Sequence, residues 1–79
     1  MSTEVPFPVV FDDEPDAEGV VGSWFVEDGE TVTVGQVIAE VQVEKISQDV
    51  EAPAAGVIHL AVAESEGVTQ GAVIARIDP

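Results

Sequence analysis

Along this chain, hydrophobic and polar residues alternate over short stretches, and no segment keeps a 3.6-residue apolar period through three turns. Val37, Ala39, Val41 and Val43 alternate with Ile38, Glu40, Gln42 and Glu44, the pattern of a half-buried strand. Beyond Lys45 the period of two resumes, with Ile46, Gln48, Val50 and Ala52 alternating with Ser47, Asp49 and Glu51. Because the period runs into Lys45 and out again, a hairpin is expected near Glu44–Ile46, and a type I turn there needs no glycine. Other turn signals fall at Glu27-Asp28-Gly29-Glu30, Pro53-Ala54-Ala55-Gly56 and Glu64-Ser65-Glu66-Gly67. The predicted strands cover 5–10, 19–26, 32–34, 37–43, 47–52, 56–63, 68–70 and 73–77.

The chain repeats itself. Shifted by 36, Val32-Thr33-Val34-Gly35-Gln36-Val37-Ile38-Ala39-Glu40-Val41 lies over Val68-Thr69-Gln70-Gly71-Ala72-Val73-Ile74-Ala75-Arg76-Ile77, with six of ten positions identical. With a shift of 37, Gly19-Val20-Val21 lies over Gly56-Val57-Ile58. Two related halves of short strands predict an all-β domain: a flattened β-barrel or sandwich of two four-stranded antiparallel sheets with an internal pseudo-twofold. Lys45 lies between the two copies, and its symmetry mate would fall at the chain termini. It is therefore expected alone on a projecting corner.

Residues 1–79 suffice for a single domain. A domain this small buries only about 60–65% of its unfolded surface, which disfavours a deep catalytic cavity. The chain has no cysteine, so disulfides and thiolate metal sites are excluded. Sixteen acids against Lys45 and Arg76 give a net charge of −14. That sign opposes binding to nucleic acid and to anionic membranes. It either steers the chain toward a basic partner or merely solvates its surface. The first ten residues lack a basic start followed by a long apolar run, so no targeting segment is expected and a cytoplasmic or organelle-matrix location fits.

Few residues could carry chemistry. One His, no Cys and no Tyr leave no nucleophile–base–orienter set, and no phosphate-binding glycine motif occurs. His59, inside a strand pattern, reads as structural, and Trp24 and Phe25 as core or inter-sheet packing. The stretch from Asp12 to Glu18 places five carboxylates in seven residues but lacks the spacing that wraps calcium. A solvated loop or a partner-contacting one is the expectation for Asp12, Asp13, Glu14 and Asp16.

The flanks of Lys45 single it out. Gly35 stands ten residues before it and Gly56 eleven after, in Gly35-Gln36-Val37-Ile38-Ala39-Glu40-Val41-Gln42-Val43-Glu44-Lys45 and Pro53-Ala54-Ala55-Gly56-Val57-Ile58. With Glu18-Gly19-Val20-Val21 and Trp24-Phe25-Val26-Glu27-Asp28-Gly29-Glu30-Thr31-Val32, these stretches resemble the biotinyl/lipoyl attachment domain family from about Val5 to Asp78. The resemblance implies a hammerhead-like carrier rather than an enzyme, with lipoic acid joined covalently to the Lys45 ε-amine and Gly35 and Gly56 as structural glycines. Lipoyl members carry an acid before the lysine, and biotin carriers flank it with Met; Glu44 and Ile46, the flanking recognition positions, therefore favour lipoyl. Glu in place of Asp and a bulky Ile46 depart from the usual lipoyl pattern. A biotin carrier of a carboxylase, or an unmodified interaction module of the same fold, are the alternatives.

The resemblance also implies partners: a lipoate ligase or lipoyl transferase, a thiamine-diphosphate 2-oxo acid decarboxylase, an acyltransferase core and a dihydrolipoamide dehydrogenase. A lysine ammonium is a poor nucleophile at neutral pH, so the modifying enzyme would bring an activated acyl-adenylate. The loop from Phe11 to Glu18 would lie beside the tip and select the decarboxylase through its acids.

Overall fold

The computed structural model describes residues 2–14 and 16–79. Eight strands form in chain order: β1 (Thr3–Pro6), β2 (Glu18–Trp24), β3 (Thr31–Val32), β4 (Val37–Val43), β5 (Ile46–Glu51), β6 (Gly56–Leu60), β7 (Gly67–Thr69) and β8 (Val73–Asp78). They make two four-stranded antiparallel sheets, ordered β1-β8-β6-β3 and β5-β4-β2-β7. The core lies between the sheets and is built almost wholly from Val, Ile and Ala, with Phe7 the one fully buried aromatic. β-Branched side chains suit this pleated, half-buried surface.

The repeat in sequence is a repeat in space. Gly35 N donates to Ala52 O at 2.9 Å, and Ala52 N donates to Gln36 O at 2.8 Å. In the other copy Gly71 N donates to Phe7 O at 2.8 Å, and Phe7 N donates to Ala72 O at 2.7 Å. Gly35 and Gly71 hold matching left-handed conformations, φ 85° and 88°. Each copy also carries a bulge at the same place. The register skips Ile38 opposite β5 and Ile74 opposite β1, so Ile38-Ala39 and Ile74-Ala75 are adjacent residues that are both buried. The simple alternation drawn from residue 37 onward therefore fails at its start, and Val37 turns outward.

Three further expectations are corrected. The first strand stops at Pro6 rather than continuing to residue 10: Phe7 turns to bond Ala72, Pro8 has no N–H to extend a ladder, and Val9 is exposed. β6 stops at Leu60 rather than 63, because the Val62 carbonyl leaves the ladder to accept the Trp24 indole N–H at 3.1 Å. Trp24 packs against the core as expected, but Phe25 is 56% exposed. Phe25 follows the last residue of β2, in a bend where the next residue, Val26, is the one that enters the core.

Candidate functional site

The β4–β5 hairpin closes with Val43 opposite Ile46, leaving Glu44 and Lys45 as a two-residue loop. Glu44 has φ 55° while Lys45 keeps a negative φ. A type I turn has both central residues negative, so the turn expected from sequence is corrected to the type II′ sign pattern. Primed turns match the right-handed twist of the strands they join, and this match keeps a non-glycine residue in the left-handed region. The Gln42 amide adds a brace by donating to the Glu44 carbonyl at 3.3 Å.

The tip is rooted in the core. Val43 is buried against Phe7, and β2 approaches so closely that a Cβ on Gly19 would stand 2.5 Å from the Gln42 carbonyl oxygen. Gly56 makes the same approach to Asp78 in the other copy, at φ 150°. Above this base Glu44, Lys45 and Ile46 are all exposed. Among the described residues Arg76 pairs with Glu4 at 3.5 Å and the His59 imidazole meets the Asp78 carboxylate at 3.1 Å, and Lys45 takes part in neither contact. Its ammonium is free to meet a reagent from solvent.

The loop between β1 and β2 comes to this tip. Phe11, Glu44, Lys45 and Ile46 together line a depression of about 370 Å³. Past Phe11 the loop makes successive turns, with Glu14 N donating to Phe11 O at 3.2 Å and Ala17 N to Glu14 O at 2.9 Å. These turns leave Asp12, Asp13, Glu14 and Asp16 exposed. Among the described residues no group of three or more metal-ligating side chains is placed to hold an ion.

Sequence reasoning overlooked Gln70. Its side chain is 6% exposed and holds the loop from within. Its Oε1 accepts from Val10 N at 2.9 Å and from Phe11 N at 3.1 Å, and its Nε2 donates to Phe11 O at 2.6 Å and Glu14 O at 2.7 Å. One signal was present in the repeat, where Gln70 stands over Val34, an apolar residue opposite an amide.

An exposed amine on a two-residue turn is a place where a group can be loaded and presented. Comparison with known proteins points the same way. The family model described as "Biotin-requiring enzyme", which covers biotin and lipoyl domains, matches residues 12–77. A dihydrolipoyllysine-residue acetyltransferase component of the acetoin cleaving system from Cupriavidus necator is 43% identical over 51 residues, covering 65% of this chain and 14% of that protein. The corresponding component of the pyruvate dehydrogenase complex from Corynebacterium glutamicum is 34% identical over 77 residues, 96% of this chain and 11% of that protein. The chain thus spans only a small part of the length of these curated relatives. Among solved structures, the lipoyl domain of the 2-oxoglutarate dehydrogenase complex from Azotobacter vinelandii superposes with a TM-score of 0.71 at 26% identity, covering 100% of this chain and 96% of that one. With its two duplicated sheets and its one lysine exposed on the β4–β5 turn, the chain belongs to the biotin–lipoyl attachment family, as a carrier domain of lipoyl type.

Proposed function

We propose that Lys45 is the attachment residue and that the domain carries a lipoyl group on its ε-amine between the active sites of a 2-oxo acid dehydrogenase-type complex. The observation that carries this reading is the place of the chain's one lysine: exposed, outside the ion pairs of the described residues, and on a two-residue turn rooted through Val43 in the core. These residues fit the group. An amide at Lys45 would meet solvent on the outer side and the Phe11–Ile46 depression on the other, and would bury no unpaired charge. When bound, the dithiolane supplies the acyl- and electron-carrying chemistry. The protein holds its anchor still and keeps the tip accessible to large partners. Amide formation removes one positive charge, taking the domain from −14 to −15.

Glu44 and Ile46 flank the amine as the residues a lipoate ligase or lipoyl transferase would read. The acids at Asp12, Asp13, Glu14 and Asp16, on the loop that touches the tip through Phe11, would be read by the thiamine-diphosphate decarboxylase, with an effect mainly on encounter rate and discrimination. An acyltransferase core and a dihydrolipoamide dehydrogenase are the remaining partners of this reading. Intact-mass measurement after co-expression with a lipoate ligase, and separately with a biotin ligase, tests it. One lipoyl increment that disappears in Lys45→Arg is expected. A biotinyl increment, or an unmodified mass with both ligases, would overturn the assignment.

A further inference from the structure

We infer that Gln70 is a positioning residue for acyl loading: it sets the acidic loop and Phe11 against the Lys45 tip, and so determines how well the domain is read by its decarboxylase. This deepens the proposal above, and it holds only if the loop acids are what the decarboxylase reads.

The loop's two turns and the packing of Val10, Phe11 and Ala17 against the core are not its only supports. From Phe7 to Gly19 the chain runs twelve positions, against four from Ala52 to Gly56 in the other copy, and much of the excess is acidic. Carboxylates this dense repel one another and favour a splayed, solvated loop. Pro8 and Pro15 remove two backbone donors. Beside the packing of Val10 and Phe11 on the core, their backbone polar groups are held by the Gln70 amide, which uses both its oxygen and its nitrogen and spans from Val10 to Glu14. The Gln70 backbone adds a bond from its N–H to Ala17 O at 3.0 Å, where the loop rejoins β2.

The internal repeat supplies a built-in contrast. The backbone bonds around Gly35 and Gly71 are the same, so nothing in the shared fold demands an amide one residue before the glycine. In the copy with the short connection that place is held by Val34, which is 68% exposed and anchors no loop. In the copy with the long loop it is held by a buried Gln. A glutamine suits a site that must both accept and donate, whereas a glutamate would set an anion against the carbonyls of Phe11 and Glu14. Phe11, held at both its N–H and its carbonyl, is also the loop residue that lines the depression at Lys45. Gln70 thus links loop position to tip geometry without touching Lys45.

The test uses Gln70→Val, which installs the residue of the other copy, and Gln70→Glu, which keeps the accepted bonds and loses the donated ones. Each lipoylated domain is assayed as substrate for the decarboxylase that loads the parent domain, chosen by trying the pyruvate, 2-oxoglutarate and branched-chain enzymes. A variant with Asp12, Asp13, Glu14 and Asp16 changed to Asn, Asn, Gln and Asn runs beside them. Gln70→Val is expected to speed amide hydrogen exchange at Val10 and Phe11 at least about tenfold. It should raise KM for loading about fivefold or more while kcat and the rate of lipoylation stay within about twofold. Gln70→Glu should keep the two amides protected and give an intermediate KM, and it carries the test if the Val variant does not fold. Unchanged amide protection in Gln70→Val overturns the anchoring role. Freed amides with an unchanged KM, while the four-acid variant raises it, overturn the positioning role and leave the acid reading standing. No effect on KM in any variant removes both.

Discussion

Gly19 is where the base of the tip is most sensitive to a single atom. An ideal Cβ there would lie 2.5 Å from the Gln42 carbonyl oxygen and 2.7 Å from both Phe7 Cζ and Val43 Cγ2. The oxygen belongs to the β2–β4 ladder, where Val20 faces Gln42, and cannot retreat without breaking the register. Phe7 and Val43 are 0% and 1% exposed, so neither ring nor methyl has space to move into. Gly19→Ala should therefore fall at the upper end of the overpacking range, about 3 kcal/mol. In a domain of this size each kcal/mol moves the melting temperature by about 4–8 °C, so a loss of roughly 12–24 °C is expected by calorimetry or circular dichroism. Gly67→Ala is the paired control, because a Cβ there meets nothing within 4 Å and its φ is not in the left-handed region. It should be neutral or stabilise by about 0.4–1 kcal/mol through the unfolded chain. If Gly19→Ala melts within about 2 °C of the parent, the close approach of β2 to the tip is not what the structure says it is.

Lys45→Arg should leave stability within about 0.5 kcal/mol while abolishing the lipoyl mass increment; a variant still modified would place the site at another amine. Glu44→Gly should raise stability by up to about 1 kcal/mol in urea titration, since glycine holds the left-handed region without the penalty a side chain incurs, and a clear loss would mean that Glu44 is not strained there. Neutralising the four loop acids should slow association with the decarboxylase most at low salt, and the gap to the parent should close as ionic strength rises toward about 0.5 M. A gap that persists at high salt would point to lost contacts instead of steering. Arg76→Gln should change the melting temperature little, because its pair with Glu4 is 3.5 Å long and 58% exposed on both sides; surface pairs of this kind contribute within about 1 kcal/mol.

The parts of this molecule written in local pattern were legible. Period-two alternation located β4 and β5 and put Lys45 between them, and the doubled Val-Thr-x-Gly-x-Val-Ile-Ala stretch announced two equivalent halves. The bulges at Ile38 and Ile74 were not legible, because two adjacent apolar residues read equally well as one in and one out. The sign of φ at Glu44 is set by the twist of the flanking strands, which no single residue encodes. Gln70 was hidden for a different reason. Its partners lie 56 to 60 positions earlier, and a lone amide just past a strand end carries no mark of such distant bonds. Phe25 was misjudged because the strand ends at Trp24 and the chain bends there, bringing Val26 to the core in its place.

The open edges of the two sheets have a consequence for crowding. A chain this rich in Val and Ile has strong β-propensity, one of the ingredients of strand addition between neighbours, although its net charge of −14 opposes it. Each margin is blunted. β3 and β7 offer two and three residues, β1 is ended by Pro6, and the six-residue margin of β5 turns Asp49 and Glu51 outward. Many copies held close together should thus stay separate bodies, where an unguarded margin would let them knit into a shared sheet.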